Sequence, residues 1–128
     1  MSYTGVNIQD YTFQAYGDMR SNQYYTVEMA ASQTVQLCSA ATAVTVGVLQ
    51  NNPNSGESAT VRLIGISKAV AAEALYQGNP AGCEANGAIG PKTLGTDSTN
   101  YVIGTVIEPA SSGDIGMVII DGTPVRGA

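Results

Sequence analysis

The residue types that most often carry chemistry are scarce or scattered in this chain. There is no histidine among its 128 residues, which removes the commonest general base and metal ligand at neutral pH. No Ser-His-Asp or Cys-His arrangement can therefore be built. The two cysteines, Cys38 and Cys83, are far apart and form no CxxC pair, so no structural zinc site is expected. They read as two small buried hydrophobes, with a single disulfide bridge as the alternative. The ten carboxylates follow no calcium-loop spacing, and isolated carboxylates are read as solvated. The run from Gly87 to Thr93 (Gly-Ala-Ile-Gly-Pro-Lys-Thr) approaches a phosphate-binding loop. Pro91, however, splits the glycine from the lysine and takes a backbone N–H out of the cradle, and no helix start follows. The expectation is no catalytic residue, no cofactor and no metal, and hence no enzyme.

The charge pattern points towards protein contact. Charged residues make up 12% of the chain, about half the usual share. The net charge is −5, and the basic residues Arg20, Arg62, Lys68, Lys92 and Arg126 stand singly. With no basic stripe to neutralise phosphates, nucleic acid is not an expected partner. No run of eighteen apolar residues suggests a membrane span, and the start, Met-Ser-Tyr-Thr-Gly, has neither the basic nor the apolar region of a secretory signal. A polar, weakly charged surface suits extensive contact with other protein.

The aromatic residues concentrate that expectation at the N-terminus. Tyr3, Tyr11, Phe13, Tyr16, Tyr24 and Tyr25 account for six of the eight aromatics. They are interleaved with Asn, Gln, Ser, Asp and Gly, with no sustained period. Tyrosine combines a large apolar body with a polar tip and favours interfaces. Residues 1–22 read as an extended N-terminal arm that orders against a partner or a neighbouring subunit, or as a segment packed on its own domain. These six aromatics are the candidate contact residues. Residues 23–128 read as a single β domain.

Behind the arm, the chain is organised around Val44–Gly65. Two β-branched apolar runs, Val44–Leu49 and Ala59–Ile66, flank a segment containing Asn51, Asn52, Pro53, Asn54, Ser55 and Gly56. This is strand, loop, strand. The layout returns later. Gly47, Gly56 and Gly65 are nine residues apart, as are Gly104, Gly113 and Gly122, each 57 positions after its counterpart. Two related hairpins packed around a pseudo-twofold are expected, and two copies are too few for a solenoid. Further strands are expected at Tyr24–Met29, Thr34–Cys38, Tyr101–Ile107 and Gly116–Ile120, with Ala30–Gln33 a turn. Ile66–Tyr76 is either a short alanine-rich helix or a continued strand. Gly78–Asn100 reads as loop, and Asp121–Pro124 as the end of the fold. Six or seven strands with turns every eight to twelve residues argue an all-β sandwich, barrel or clip.

Several of these segments, in order, resemble a known family. They are Gln23–Ala31, Thr34–Leu37, Val46–Pro53, Gly56–Arg62, Gly65–Lys68, Tyr101–Gly104 and the Ala-Ser-Ser-Gly-Asp run at 110–114. Together they are similar to the capsid decoration, or cement, proteins of bacteriophages over residues 22–122. The resemblance implies an all-β fold, a small barrel of the β-clip or β-tulip kind with at most one short helix. It also implies a homotrimer at threefold or quasi-threefold positions outside a phage head, with the major capsid protein as partner. Location on the virion, after assembly in the host cytoplasm, follows from the same resemblance. The alternatives are a head-fibre base, a tail-associated structural protein, or a small β-barrel ligand-binding module.

Overall fold

The computed structural model describes residues 8–93 and 101–126, without the side chains of residues 121–126. These residues form nine strands: β1 Gln9–Ala15, β2 Thr26–Met29, β3 Thr34–Leu37, β4 Gly47–Leu49, β5 Ser58–Val70, β6 Pro80–Cys83, β7 Ile89–Pro91, β8 Tyr101–Glu108 and β9 Ile115–Arg126. Their order is β1-β3-β2-β4-β5-β9-β8-β6-β7, and β1 also pairs with β5. The first five strands therefore close a five-stranded barrel, which removes their free edges.

The expected all-β class is observed, and there is no helix among the described residues. Ile66–Tyr76 is not helical. It continues β5 as far as Val70, because alternate residues Ser67 and Ala69 are buried against the core while Lys68 faces out. Two further expectations are corrected. Gly78–Asn100 is not all loop, since β6 and β7 lie within it. Asp121–Pro124 does not end the fold, since β9 runs on to Arg126 beside β8. Residues 9–15, placed in the arm by sequence, are built into the barrel as β1.

The hairpin repeat proves to be part of a larger one: the chain contains two copies of one five-strand unit. The pairs Val48↔Arg62 and Leu49↔Val61 of β4 and β5 recur as Thr105↔Ile119 and Val106↔Val118 of β8 and β9. Thr26↔Val48 and Val27↔Gly47 recur as Pro80↔Thr105 and Ala81↔Gly104. Val27↔Leu37 and Met29↔Val35 recur as Ala81↔Pro91 and Cys83↔Ile89. Phe13↔Ala59 and Gln14↔Ser58 recur as Ala69↔Gly116 and Val70↔Ile115. Even the parallel contact Ala15↔Val35 returns as the bridge Ala71↔Ile89, which closes the second unit.

One strand thus serves both units. The first half of β5 is the last strand of unit one, and its second half is the first strand of unit two. Because β1 runs antiparallel to β5, the second unit is turned end for end relative to the first. Each unit has its own core. Ala15, Met19, Val27, Val35, Leu49 and Val61 fill the first, and their equivalents Ala71, Leu75, Ala81, Ile89, Val106 and Val118 fill the second.

The loop glycines now have a physical role. Gly56 (φ 85°) and Gly113 (φ 87°) both adopt the left-handed conformation that glycine alone enters without steric cost. Each is the third residue of a tight turn, closed by Glu57 N–H to Asn54 O at 3.0 Å in one unit and by Asp114 N–H to Ser111 O at 2.9 Å in the other.

Candidate interaction surface

The repeat gives an internal comparison for the outer faces. In unit one, the ribbon of β1 and β5 presents Asp10, Thr12, Gln14, Ser58, Thr60 and Arg62 at paired positions. The equivalent positions on β5 and β9 are Ile66, Lys68, Val70, Ile115, Met117 and Ile119. A wholly polar set has become apolar at five of six positions. The clearest exchange is a single cross-strand pair. Asp10 and Arg62 form an ion pair, with Nε–Oδ1 at 2.9 Å and Nη2–Oδ2 at 3.2 Å, where unit two has Ile66 opposite Ile119.

Ile66, Val70 and Met117 of this strip are half-buried, and its two β9 isoleucines are open to solvent. Ile115 is 49% exposed and Ile119 is 39% exposed, whereas the opposite-facing Val118 and Ile120 of the same strand are buried. Alternation along β9 explains both sides. Buried Val118 and Ile120 build the core, and the outward residues need not be apolar for folding, as unit one demonstrates. Lys68 is the only charge in the strip, with its ammonium 5.6 Å from the centroid of the Tyr24 ring, a cation–π distance. At one end the strip runs into an open groove of about 480 Å³, lined by Leu75, Tyr76, Pro109, Ala110, Asp114 and Ile115 among others. Tyr76 stands 63% exposed beside it.

The aromatics singled out by sequence are not gathered into one site. Tyr3 lies outside the described residues. Tyr11 is exposed, with its ring 4.8 Å from that of Phe13. Phe13 itself packs on the first core. Tyr16 is exposed and lines a second open groove of about 330 Å³ with Met19 and Leu37. Tyr24, at φ 71°, packs on the second core, and Tyr25 is half-buried. The strip on β5 and β9 was not singled out by sequence. Its signal was the slip from polar to apolar between equivalent hairpin positions, visible only once the register is known.

No group of three or more potential metal ligands exists among the described residues. No described helix is long and apolar enough to cross a membrane. The near phosphate loop is committed elsewhere: Lys92 is buried, and its Nζ lies 2.9 Å from Glu84 Oε2. The Gly87 carbonyl accepts hydrogen bonds from both the N–H and the hydroxyl of Thr26, at 2.8 and 2.7 Å. The loop's backbone is thus spent on joining the two units.

The sequence profile of the phage cement proteins matches residues 4–120. This chain belongs to that family. Its fold is similar to a solved structure, the N base of the head fiber protein gp8.5 of bacteriophage phi29. The TM-score is 0.69 at 15% identity, covering 94% of this chain and 99% of that one. At that identity the likeness is one of fold. No curated protein matches the sequence. Set against the family assignment, the bare apolar strip becomes the first candidate for the surface where the chain meets other protein.

Proposed function

We propose that this chain is a non-enzymatic cement protein that binds the outside of a phage head as a homotrimer at threefold or quasi-threefold positions and stabilises the shell. The observation that carries the reading, given the family, is the one-sided apolar strip of Ile66, Val70, Ile115, Met117 and Ile119. Exposed apolar surface bounded by polar residues marks protein–protein contact. Its polar twin in unit one shows that the fold itself does not require it. Binding only to the assembled lattice stabilises that lattice by mass action, and three linked copies raise avidity without tight single contacts. The major capsid protein is the partner, and the protein is placed on the virion surface after assembly in the host cytoplasm.

The test pairs Ile115→Asp/Ile119→Asp with the control Ser58→Asp/Thr60→Asp, which changes outward positions on the matching ribbon of unit one and spares the Asp10–Arg62 ion pair. Heads lacking the protein are incubated with each variant and sedimented, and light scattering gives the mass of the free protein. The strip variant is expected to keep its melting temperature and lose at least tenfold in head binding, while the control binds. A free mass of three chains that falls to one in the strip variant assigns the strip to the trimer. Undiminished decoration by that variant overturns the role of the strip. A second reading, the base of a head fibre, is favoured by the fold of the phi29 protein. It predicts that this chain co-purifies with a fibre segment attached to it.

A further inference from the structure

The two cysteines, 45 positions apart in sequence, converge on one loop inside the protein. Cys38 follows β3 in unit one, and Cys83 ends β6 in unit two. Both are buried free thiols, and each is the largest influence on the other's titration. The loop between β3 and β4 wraps them. Cys83 Sγ lies 3.4 Å from the Ala40 carbonyl and 3.9 Å from that of Ala43, and Cys38 Sγ lies 3.6 Å from Thr45 Oγ1. Packing alone would not call for two thiols here. The equivalent of Cys38 in unit two is Lys92, since Cys38 N–H to Thr26 O and Lys92 N–H to Pro80 O are the same bond of the repeat. The equivalent of Cys83 in unit one is Met29. Each unit therefore supplies one thiol at a different position of the repeat, and only the way the units abut brings the two together.

We propose that Cys38 and Cys83 are a latent disulfide, a modification site whose oxidation joins unit one covalently to unit two. With a peroxide as oxidant the chemistry balances. The Cys83 thiolate attacks one peroxide oxygen, the O–O bond breaks, and a sulfenic acid and water result once the leaving hydroxide takes up a proton. The Cys38 sulfur then attacks the sulfenic sulfur, the S–O bond breaks, and the second water leaves with the Cys38 proton. Two thiols lose two electrons and two protons, and one peroxide becomes two waters. The Cys38 thiol, more than the Lys92 ammonium, favours the attacking thiolate, and its nearness gives the sulfenic acid a partner before further oxidation. A reducing cytoplasm keeps such thiols open, and an oxidising exterior closes them, so the bond would form after release of the virion. That timing rests on the capsid reading, whereas the bond itself does not.

The full-length protein is treated with hydrogen peroxide under native conditions, and intact mass, thiol-linked peptides and melting temperature are read with and without reductant. The expected result is loss of two hydrogens, one linked peptide pair containing Cys38 and Cys83, and a melting temperature raised by several degrees that returns on reduction. Cys38→Ser and Cys83→Ser should show none of these changes. An unchanged mass, oxygen addition without the link, or a disulfide between two chains overturns the proposal. The wild-type mass decides the matter even if a serine variant folds poorly. It also leaves head decoration untouched, so failure of the capsid reading and failure of the staple are read from different experiments.

Discussion

Single residues decide how closely the strands of each unit can approach. A Cβ on Gly47 would overlap the Arg62 carbonyl oxygen, and one on Gly104 would overlap the Ile119 carbonyl oxygen. These are the same contact in the two copies. The sequence marked both glycines through their 57-residue spacing but could not tell a turn glycine from a close-packed one. The difference lies in what the partner strand places above them. Gly104→Ala is expected to destabilise at or above the roughly 1–3 kcal/mol typical of overpacking. Gly17→Ala, with nothing within 4 Å of its Cβ, should change stability by less than about 0.5 kcal/mol. Chemical denaturation of the two variants checks this, and equal effects would contradict the packing argument. The thiol pair was equally hidden, since its residues come together only through the contact between units. Cys83 is held at about 7, chiefly by the hydrogen bond from Cys38, with Thr45 and the Lys92 charge helping against burial and the Glu84 carboxylate. The Cys38 thiol is pushed up, chiefly by sharing that bond with Cys83 and also by burial. Because the thiolate is the nucleophile, the peroxide reaction should quicken as pH rises through about 7 and level off above it. A rate flat from acid to alkaline pH would place the first attack elsewhere.

The elements divide by how much of their burial pattern survives in one dimension. Strands β2, β3, β5, β8 and β9 were legible because each is rich in β-branched and other apolar residues. Strand β1 was not. Only Ala15 of its seven residues is buried, with Phe13 half-buried, so its aromatics looked like an interaction arm. Short β6 and β7, Pro-Ala-Gly-Cys and Ile-Gly-Pro, carry residues normally taken as punctuation. Gly82 is there because a Cβ would overlap the Tyr101 carbonyl, not because the chain turns. The choice between helix and strand for Ile66–Tyr76 was settled by β9, whose pairing from Ile64 to Val70 outweighs alanine's local preference. Placing β1 in the barrel changes what truncation should do. β1 pairs with β3 on one side and β5 on the other, so removing residues 1–15 opens the barrel and bares the Ser58–Ile64 edge. That chain is expected to lose its cooperative melt and aggregate through the free edge. Removal of residues 1–7, which leaves β1 whole, is the comparison. A 16–128 chain that melts like the full protein would return β1 to the status of a detachable arm.

At the scale of the whole molecule, the chain is one unit written twice with different spacing. Equivalent residues are 56 apart from β1 to Met19 (whose counterpart is Leu75), 54 apart across β2 and β3, and 57 apart across β4 and the first half of β5. The sequence showed only the 57-residue stretch. The shortened link before β6 and the lengthened one before β8 break the phase, and core identities drift, as in Leu49 against Val106 or Met19 against Leu75. What the repeat cannot show in sequence is that β5 belongs to both copies. A shared strand ties the stability of two cores together: losing either one strips β5 of half its partners. The protein should therefore unfold in a single transition despite its two cores. Leu49→Ala in the first core and Val106→Ala in the second should each lower that one transition, with Leu49→Ala costing about 2–5 kcal/mol. Calorimetry of the reduced protein and both variants tests this. If Leu49→Ala splits the melt into two transitions while Val118 and Ile89 amides stay protected through the first, β5 does not couple the units. In that case their union rests on the surface between them, where Thr26 meets Gly87 and Cys83 meets the loop that follows Cys38.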